Sequence, residues 1–265
     1  MTADEQMTFF YEIFDASLPR LGPGDGPSTR RALDGLLASN PGLARKAESA
    51  ELRILDLGCG NGAQTIELAG HLDGTILAVD NYQPFLDELQ RRAEAAGVAD
   101  KIRPCCQDMG NLGLSENSFD LIWSEGALYN MGFKAGLKRC RKLLAPGGRI
   151  AVSELVWLQP DPPEACRRFF GDEYPAMLDV GANVTAIQDC GYDLLGHFIL
   201  PESAWRQSYY EPLEQRLNML RKTYAGDRQR LGMIDGVETE IDMYRKYASF
   251  YGYVFFLMRP GRIGL

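Results

Sequence analysis

The feature that most constrains the fold of this chain is a glycine-rich turn that joins an apolar run to a helix-forming segment. Residues 52–57 predict a buried strand, and residues 63–69 predict a helix. Between them Gly58, Gly60 and Gly62 stand at alternate positions. Glycine lets a ligand approach the backbone, and a helix start leaves N–H groups free to bind it. The turn therefore predicts a nucleotide-like ligand, although a purely structural turn fits the same pattern.

The spacing within this turn does not decide which ligand is bound. Gly58, Gly60 and Ala63 satisfy the loose dinucleotide fingerprint, which favours a nicotinamide cofactor. A second predicted strand, residues 75–80, ends at Asp80, whose carboxylate can accept both hydroxyls of a ribose. Nicotinamide enzymes share that acidic residue, so the choice depends on the rest of the chain.

Three further motifs follow predicted strand ends. Residues 102–106 predict a third strand, 118–124 a fourth, and 143–152 a tight turn with a fifth. The segments DLGCGNG, AVD, QDM, FDLIWSEGALYN and LLAPGGRIAVSE resemble, in order and spacing, the motifs of class I S-adenosylmethionine (SAM)-dependent methyltransferases. The resemblance covers about residues 28–200 and the final strand. Within that class the chain is similar to the ubiquinone/menaquinone-type and small-molecule methyltransferases.

The resemblance implies an α/β fold. Its sheet is expected to be Rossmann-like, seven-stranded and mostly parallel with an antiparallel last strand, with helices on both faces and helical lid additions. We expect a single SAM-dependent methyltransferase domain over residues 1–265. Its expected parts are an N-terminal lid helix with a Gly/Pro loop, a cofactor-binding core, a substrate and lid region containing strand six, and a final strand with a tail. These parts span residues 1–27, 28–160, 161–250 and 251–265.

Periodicity and turn residues predict the remaining elements. Helices are predicted at residues 7–18, 29–38, 84–96, 133–143, 184–190, 205–224 and 227–250, and the last two strands at 192–200 and 251–258. Ser28 is expected to cap the second helix. A turn is expected at residues 40–42, and an irregular segment from residue 161. The N-terminal helix with its loop and part of the 201–235 segment are expected to form a mobile lid.

Charge and hydropathy limit the partners. The net charge is −8 and the pI is near 5.0, whereas nucleic-acid binding usually needs a basic surface. No apolar run reaches the length of a membrane span, and the N-terminus lacks a signal pattern. We therefore expect a cytoplasmic protein that binds neither nucleic acid nor membrane. The N-terminal and final helices could supply a homodimer interface.

No metal site is expected. The chain has 6 cysteines, none in a CxxC pair, and 2 histidines, which is a poor ligand set for structural zinc. The adjacent pair Cys105 and Cys106 ends a strand and is expected to pack as small apolar residues. Cys59 is expected to contact the ligand through its backbone while its side chain packs.

The resemblance implies SAM as the cofactor and assigns binding roles by motif position. The turn glycines would allow close backbone approach, and Asp56 would organise the turn and reach the methionyl amine through water. Asp80, with Asn81 beside it, would bind the ribose, and Asp108 would accept from the adenine amino group with Met109 against the ring. A turn-stabilising Asp56 and a core Met109 are the structural alternatives. The full expected cofactor set is Asp56, Gly58, Cys59, Gly60, Gly62, Asp80, Asn81, Asp108, Met109 and Ser124.

Catalytic candidates lie at the ends of strands four and five. Glu125 could act as a base, orient a cationic amine or cap the following helix, and Glu154 has the same ambiguity. Tyr129 is the third candidate, within an aromatic group that could hold a cation. The other members of that group are Asn130, Trp157, Trp205, Tyr209 and Tyr210, of which the last two are expected to be core. The acceptor pocket is expected to be walled by Trp123, Glu125, Tyr129 and Glu154 and closed by the N-terminal helix around Tyr11.

The function that these expectations favour is SAM-dependent methyl transfer to a small-molecule acceptor, with O-, N- and S-acceptors all open. An NAD(P)-dependent oxidoreductase is one alternative, but it gives no role to Asp108 or to the Pro-Gly-Gly turn. A non-catalytic SAM-binding protein is the other, and it would bind the cofactor without transferring its methyl group.

Overall fold

The computed structural model describes residues 1–261, which build one mixed sheet flanked by helices. The strands are β1 (Arg53–Leu57), β2 (Thr75–Asp80), β3 (Ile102–Cys106), β4 (Phe119–Glu125), β5 (Leu144–Trp157), β6 (Tyr192–Ile199) and β7 (Tyr251–Pro260). Their order across the sheet is β3-β2-β1-β4-β5-β7-β6, and β7 runs antiparallel to both of its neighbours. The predicted α/β fold with an antiparallel last strand is therefore confirmed.

Helices cover the sheet and one of its edges. They are α1 (Ala3–Ile13), α2 (Gly26–Ala38), α3 (Pro41–Ala47), α4 (Ala63–His71), α5 (Gln83–Ala95), α6 (Phe133–Leu143), α7 (Glu164–Glu173), α8 (Val180–Asp189), α9 (Glu202–Trp205), α10 (Glu211–Thr223) and α11 (Arg228–Tyr247). A π-helical turn, Arg206–Tyr210, joins α9 to α10. No helix within residues 1–261 is long and apolar enough to cross a membrane.

Strand periodicity decides which helices cover each face. Ile54 packs on the face covered by α2 to α5, and its neighbour Leu55 packs on the face covered by α6 and α8. Phe255 and Phe256 divide in the same way on β7. Adjacent strand side chains point to opposite faces, so a run that is apolar at every position needs a helical layer on both.

A third apolar cluster lies over the edge at which the parallel strands end. Helices α1, α7, α10 and α11 meet there and bury Phe9, Ile13, Phe170, Leu213 and Ile241. Because carboxyl ends of parallel strands share one edge, the loops that follow β1 to β5 all open toward this cluster. The helical additions therefore enclose the edge where an open α/β sheet binds its ligands.

Several local predictions were wrong, and in three places a helix cap explains the difference. Asp25, rather than Ser28, caps α2, because its carboxylate accepts the Ser28 N–H at 2.7 Å. Asn40 caps a helix, α3, where a turn was expected. The expected irregular segment after residue 161 contains α7. The N-terminal helix begins at Ala3, where Thr2 and Glu5 form a capping box. The division into four parts stays a prediction, and residues 262–265 of the expected tail lie outside the described residues.

Gly62→Ala should destabilise the fold through the turn after β1. Gly62 has φ +83°, and an added Cβ would collide with Leu89 of α5. A left-handed alanine together with overpacking should cost about 2–4 kcal/mol of the free energy of unfolding, measured by urea denaturation. Gly70→Ala is the matched control: it lies in α4 with open space around its Cβ, and it should be neutral or stabilise by up to about 1 kcal/mol. Equal stability of the two variants would contradict the strain assigned to residue 62.

Candidate functional site

Two cavities adjoin each other at the carboxyl edge of the sheet. The first, here the glycine-turn cleft, has a volume of about 490 Å³ and lies over the loops that follow β1 to β4. The second, here the aromatic chamber, has a volume of about 600 Å³ and lies beneath α1, α7, α10 and α11. Both are lined by Gly126, Tyr129 and Tyr253, so the two spaces meet at these residues.

The glycine turn is held in a conformation that needs glycine at three positions. Gly58, Gly60 and Gly62 have φ of +70°, +53° and +83°. A Cβ on Gly58 would collide with Ala127, and one on Gly60 would stand 3.1 Å from Leu21 Cδ1. Only Gly58 and Gly60 line the cleft, together with the backbone of Cys59, whose side chain is buried as expected. Gly62 instead lies at the N-cap of α4 and faces Leu89 of α5.

Asp80 ties the glycine turn to the end of β2. Its Oδ2 accepts the Gly60 N–H at 2.9 Å, and its Oδ1 accepts the Tyr82 N–H at 3.1 Å. Burial raises the pKa of this carboxyl group above its ordinary value, while the backbone donors act in the opposite direction. Each oxygen keeps a second lone pair, so both can still accept a ligand hydroxyl. Asn81 follows it on the cleft wall.

Asp108 and Met109 line the far end of the cleft. Asp108 Oδ1 accepts the Gly110 N–H at 2.7 Å and caps the short 3₁₀ turn Met109–Asn111. Its other carboxylate oxygen has no hydrogen-bond partner within residues 1–261. An acceptor beside a thioether suits an amino-bearing aromatic ring, because the ring edge donates while the sulfur packs on its face.

A stacked aromatic pair closes the cleft above Asp80. Tyr11 of α1 stacks on Tyr82 with ring centroids 3.5 Å apart and an interplanar angle of 3°. Phe85 meets both rings edge-on. The N-terminal helix therefore reaches the glycine-turn cleft at Tyr11, whereas this residue was expected to close the acceptor pocket.

Three of the expected cofactor residues do not reach the cleft. Asp56 is fully buried beneath the turn, with Oδ2 accepting from Thr65 Oγ1 at 2.6 Å and Oδ1 unpartnered. Burial raises the pKa of Asp56 from 3.8 to about 7. Ser124 is also buried, and its hydroxyl donates to the Leu57 carbonyl at 2.9 Å. Gly62 is the third. The position of Asp56 agrees with the alternative that it stabilises the turn. Ser124 links β4 to β1 through its bond to Leu57.

Glu125 lines the cleft, but its carboxylate is already engaged. Oε2 accepts from Arg20 at 3.0 Å, and Oε1 accepts from Thr29 Oγ1 at 2.7 Å and from Trp123 Nε1 at 2.9 Å. The helix-capping alternative for Glu125 is therefore wrong, because none of its partners is a helix N–H. Trp123 was expected in the pocket wall and is instead fully buried beneath Glu125. Three donors leave this carboxylate poorly placed to take a proton from a substrate.

Arg20 belongs to a segment that crosses the mouth of the cleft, here the strap, residues 15–24. Asn61 of the glycine turn donates to the carbonyls of Ala16 and Leu18 at 3.0 and 2.6 Å. Arg92 of α5 donates to the Leu18 carbonyl as well, at 2.8 Å. The strap is thus fastened to the cradle itself, and its Leu21 lies over Gly60. Mobility of this lid stays a prediction.

Glu154 was expected in the acceptor pocket, but it lines neither cavity. It is buried on β5, where Oε1 accepts from the Tyr174 hydroxyl at 2.6 Å and Oε2 has no partner. Burial raises its pKa from 4.5 to about 7. Tyr174 lines the chamber and packs against Tyr129, with ring centroids 5.6 Å apart. Glu154 is therefore linked by a hydrogen bond to the chamber through Tyr174.

The aromatic chamber differs from the expected acceptor pocket in its lining. Tyr209 and Tyr210 are buried in the third apolar cluster, as expected, and they also line the chamber with Trp205 of α9, whereas Trp157 does not. Tyr253 and Glu240 also line it and were not singled out from the sequence. The signal for Tyr253 was weak, because β7 is apolar along its length and only its register places residue 253 opposite Leu155 at the open edge.

Comparisons with known proteins agree with this geometry. Residues 54–148 match the family described as "Methyltransferase domain". The chain is 27% identical over 173 residues to the sterol 24-C-methyltransferase erg6 of Aspergillus fumigatus, covering 61% of this chain and 45% of that protein. The chain spans less than half the length of that curated relative.

Solved structures share the fold. A SAM-dependent methyltransferase from Geobacter sulfurreducens in complex with S-adenosyl-L-homocysteine aligns with a TM-score of 0.70 at 22% identity, over 86% of this chain and 90% of that one. The [4+2]-cyclase SpnF aligns with a TM-score of 0.69 at 19% identity, over 97% of this chain and 94% of that one. Residues 54–148 therefore match a methyltransferase domain, and the sheet order is that of the class I SAM-dependent methyltransferase fold.

The residues at the cleft fit SAM as a cofactor. Gly58 and Gly60, two positive-φ glycines on the cleft wall, leave no side chain between a ligand and the backbone. Asp80 and Asp108 supply carboxylate acceptors on the same wall, which fits an adenosine because it carries both ribose hydroxyls and a base amino group. No group of three or more His, Cys, Asp or Glu side chains within residues 1–261 could hold a metal ion.

Asp56 should make the stability of the protein fall between about pH 4 and pH 7. Its pKa is about 7 in the fold and lies near 3.8 when unfolded, so over this range the folded state binds more protons. The stabilising protonated form is lost as pH rises through the folded pKa. Asp56→Asn cannot titrate and should show a shallower decline in urea denaturation at pH 5, 6, 7 and 8. Asp73→Asn, an exposed control, should keep the wild-type slope, and the same slope in Asp56→Asn would refute the assignment.

Glu125→Gln should loosen the strap. The Glu125 carboxylate has a side-chain exposure of 4% and that of Arg20 is 10%, so removing the charge leaves a buried cation without its counterion. A loss of about 3 kcal/mol in the free energy of unfolding is expected from urea denaturation. Glu164→Gln removes a shorter but exposed ion pair, and should change stability very little. Wild-type stability of Glu125→Gln would show that the Arg20–Glu125 pair does not hold the strap.

Proposed function

We propose that this protein binds SAM in the glycine-turn cleft and transfers its methyl group to a small molecule held in the aromatic chamber. The observation that carries the proposal is the junction of the two cavities at Gly126, Tyr129 and Tyr253. A donor bound along the cleft and an acceptor bound in the chamber would meet there. The sterol methyltransferase relative also supports a small-molecule acceptor.

The binding roles follow from the contacts around the cleft. Asp80 would accept the ribose hydroxyls while it continues to hold the Gly60 and Tyr82 N–H groups. Asp108 would accept from the adenine amino group, with Met109 against the ring. Asp56 would support the glycine turn without contacting the cofactor, because it is buried and its Oδ2 accepts from Thr65 at the start of α4. These roles are the family's, carried to the matching positions of this chain.

Methyl transfer would depend mainly on position. When bound, the cofactor supplies a methyl group already activated on a sulfonium. The chain would align the acceptor with that methyl group and exclude water. Leu21 and Pro23 of the strap line both cavities and would cover their junction. Glu125 is engaged by three donors, so we assign it to strap positioning, and Tyr129 becomes the first candidate to contact the acceptor.

Two alternatives remain to be tested. An NAD(P)-dependent oxidoreductase would use the same turn and the same Asp80, but the antiparallel β7 and the family match favour SAM. A non-catalytic SAM-binding protein is supported by the engaged Glu125, and a fold is shared by proteins of different chemistry. We retain the expectations that the protein is cytoplasmic and binds neither nucleic acid nor membrane. Whether it forms a homodimer is left open.

The proposed function is tested by calorimetric titration and by a transfer assay. SAM and S-adenosyl-L-homocysteine should bind, and NAD should not. Isotopically labelled SAM incubated with a metabolite extract should then label a small molecule, which separates an enzyme from a non-catalytic binder. NAD binding without SAM binding would overturn the family's cofactor for this chain, and SAM binding without any labelled product would favour the non-catalytic alternative.

Asp80→Asn should weaken SAM binding about 10–100-fold in the same titration. The variant keeps the shape of the side chain but removes the charge, and a hydrogen bond to a charged acceptor is worth about 1.5–3 kcal/mol. Asp87→Asn lies on the exposed face of α5, where its carboxylate bonds Gln83, and should bind SAM normally. Gly60→Val is a steric companion variant that should abolish binding while the protein stays folded. Normal SAM affinity in Gly60→Val would place the cradle elsewhere.

A further inference from the structure

The aromatic chamber is lined mainly by aromatic side chains. Its ring-bearing lining residues are Phe10, Phe14, Phe85, Tyr129, Phe169, Phe170, Tyr174, Trp205, Tyr209, Tyr210, Tyr251 and Tyr253. Several of these rings are in contact with each other, as Tyr209 and Tyr210 are, with centroids 4.9 Å apart. The faces of such rings carry partial negative charge, and a cavity lined by them attracts cations.

The charged residues of the chamber have the same sign as the ring faces. Glu173 of α7 and Glu240 of α11 line it, and no lysine, arginine or histidine is among its described lining residues. Glu240 Oε1 accepts from the Tyr210 hydroxyl at 2.9 Å. Within residues 1–261 no cationic side chain forms an ion pair with Glu240. The electrostatic character of this chamber is therefore negative throughout.

Glu240 acts on several of the rings that line the chamber. Burial is the main cause that raises the pKa of Tyr129, Tyr209 and Tyr253, and the charge of Glu240 acts in the same direction. Its own pKa is raised by burial, and the charge of Glu173 acts in the same direction. The Glu240 carboxylate therefore has no cationic partner among the described residues. A bound cation would provide one and would lie against the tyrosine rings as well.

We propose that the aromatic chamber binds an organic cation, a quaternary ammonium or a protonated amine attached to an apolar body, with the positive group between Glu240 and the tyrosine rings. This inference rests on the proposed function only where it makes the ligand the methyl acceptor. The methyl group would then go to another nucleophilic atom of the ligand, or to an amine nitrogen that has first released its proton to solvent, because a quaternary nitrogen has no lone pair. The apolar body would pack against Phe169, Phe170 and Trp205. Acceptors bearing phosphate, sulfate or carboxylate are disfavoured, because the chamber offers them like charge and no basic partner.

The volume and position of the chamber agree with such a ligand. About 600 Å³ exceeds the needs of a small ammonium ion and suits one that carries a ring or a chain. Tyr129 and Tyr253 stand at the junction with the cleft, so a cation among these rings would lie next to the position proposed for the methyl donor. The negative charge would also tolerate the positive sulfonium of SAM.

Three probes of matched shape separate charge from apolar contact. The 4-hydroxyphenyltrimethylammonium ion and 4-tert-butylphenol have nearly the same shape and differ in charge, and 4-hydroxybenzenesulfonate carries the opposite charge. Each is titrated by calorimetry with and without saturating S-adenosyl-L-homocysteine. The cation should bind about 10-fold more tightly than the neutral probe, and the anion should not bind measurably. Equal affinity for the cation and the neutral probe would overturn the proposal.

Two variants test whether the named residues provide this preference. Glu240→Gln can keep the bond to Tyr210 and removes the charge, so the cation should lose most of its advantage while the neutral probe binds as before. Glu238→Gln is the matched control on the same helix, where its carboxylate pairs with Arg221 outside the chamber, and it should leave all three affinities unchanged. Tyr209→Leu should weaken the cation more than the neutral probe. An unchanged preference in both Glu240→Gln and Tyr209→Leu would contradict the assignment.

The titrations keep this inference separate from the proposed function. Failure of S-adenosyl-L-homocysteine to bind, with the cation preference intact, would overturn the proposed function and leave the cation site standing. Normal binding of S-adenosyl-L-homocysteine with no cation preference would have the opposite meaning. Melting temperatures of all the variants show whether a loss of affinity comes from unfolding.

Discussion

The hydrogen bond from the Gly60 N–H to Asp80 Oδ2 joins the turn after β1 to the end of β2. It fixes the turn in which Gly58 and Gly60 line the cleft, and it does so with a carboxylate that lines the same cleft. Positive φ at Gly58, Gly60 and Gly62 makes the turn tight enough for this bond, and α4 starts directly behind it. The cleft, the strap and the chamber are all arranged around this point.

The strap covers the glycine turn and is also held in place by it. Asn61, within the turn, and Arg92, on α5, both hold the carbonyls of the strap. Arg20 then carries the strap to the end of β4 through Glu125. The Glu125 carboxylate, which sequence motifs favoured for catalysis, is therefore paired with Arg20 of the strap. Buried ion pairs contribute little net stability but make one arrangement of the chain specific, because the unpaired alternatives are costly.

The two cavities differ in the groups that they present. The cleft presents carboxylates and backbone groups, which would suit a ligand with several polar groups. The chamber presents rings and the Glu240 carboxylate, which would select for charge and apolar area rather than for one hydrogen-bond pattern. The chamber is lined largely by the helical additions, so these rather than the sheet would determine the identity of an acceptor.

The sequence by itself determined the sheet and the cleft. Strands β2 and β3 and helix α6 lie where periodicity predicted them, and the motif positions Asp80, Asn81, Asp108 and Met109 line one cavity, because these signals are local or follow strand order. Tertiary structure alone decided the rest. Glu125 pairs with Arg20, which is 105 residues away in the sequence. Ser124 donates to the Leu57 carbonyl, and Glu154 accepts from the Tyr174 hydroxyl. Tyr209, Tyr253 and Glu240 converge on one chamber only because three elements pack together, and helical or strand periodicity cannot distinguish a residue that faces a cavity from one that faces the core.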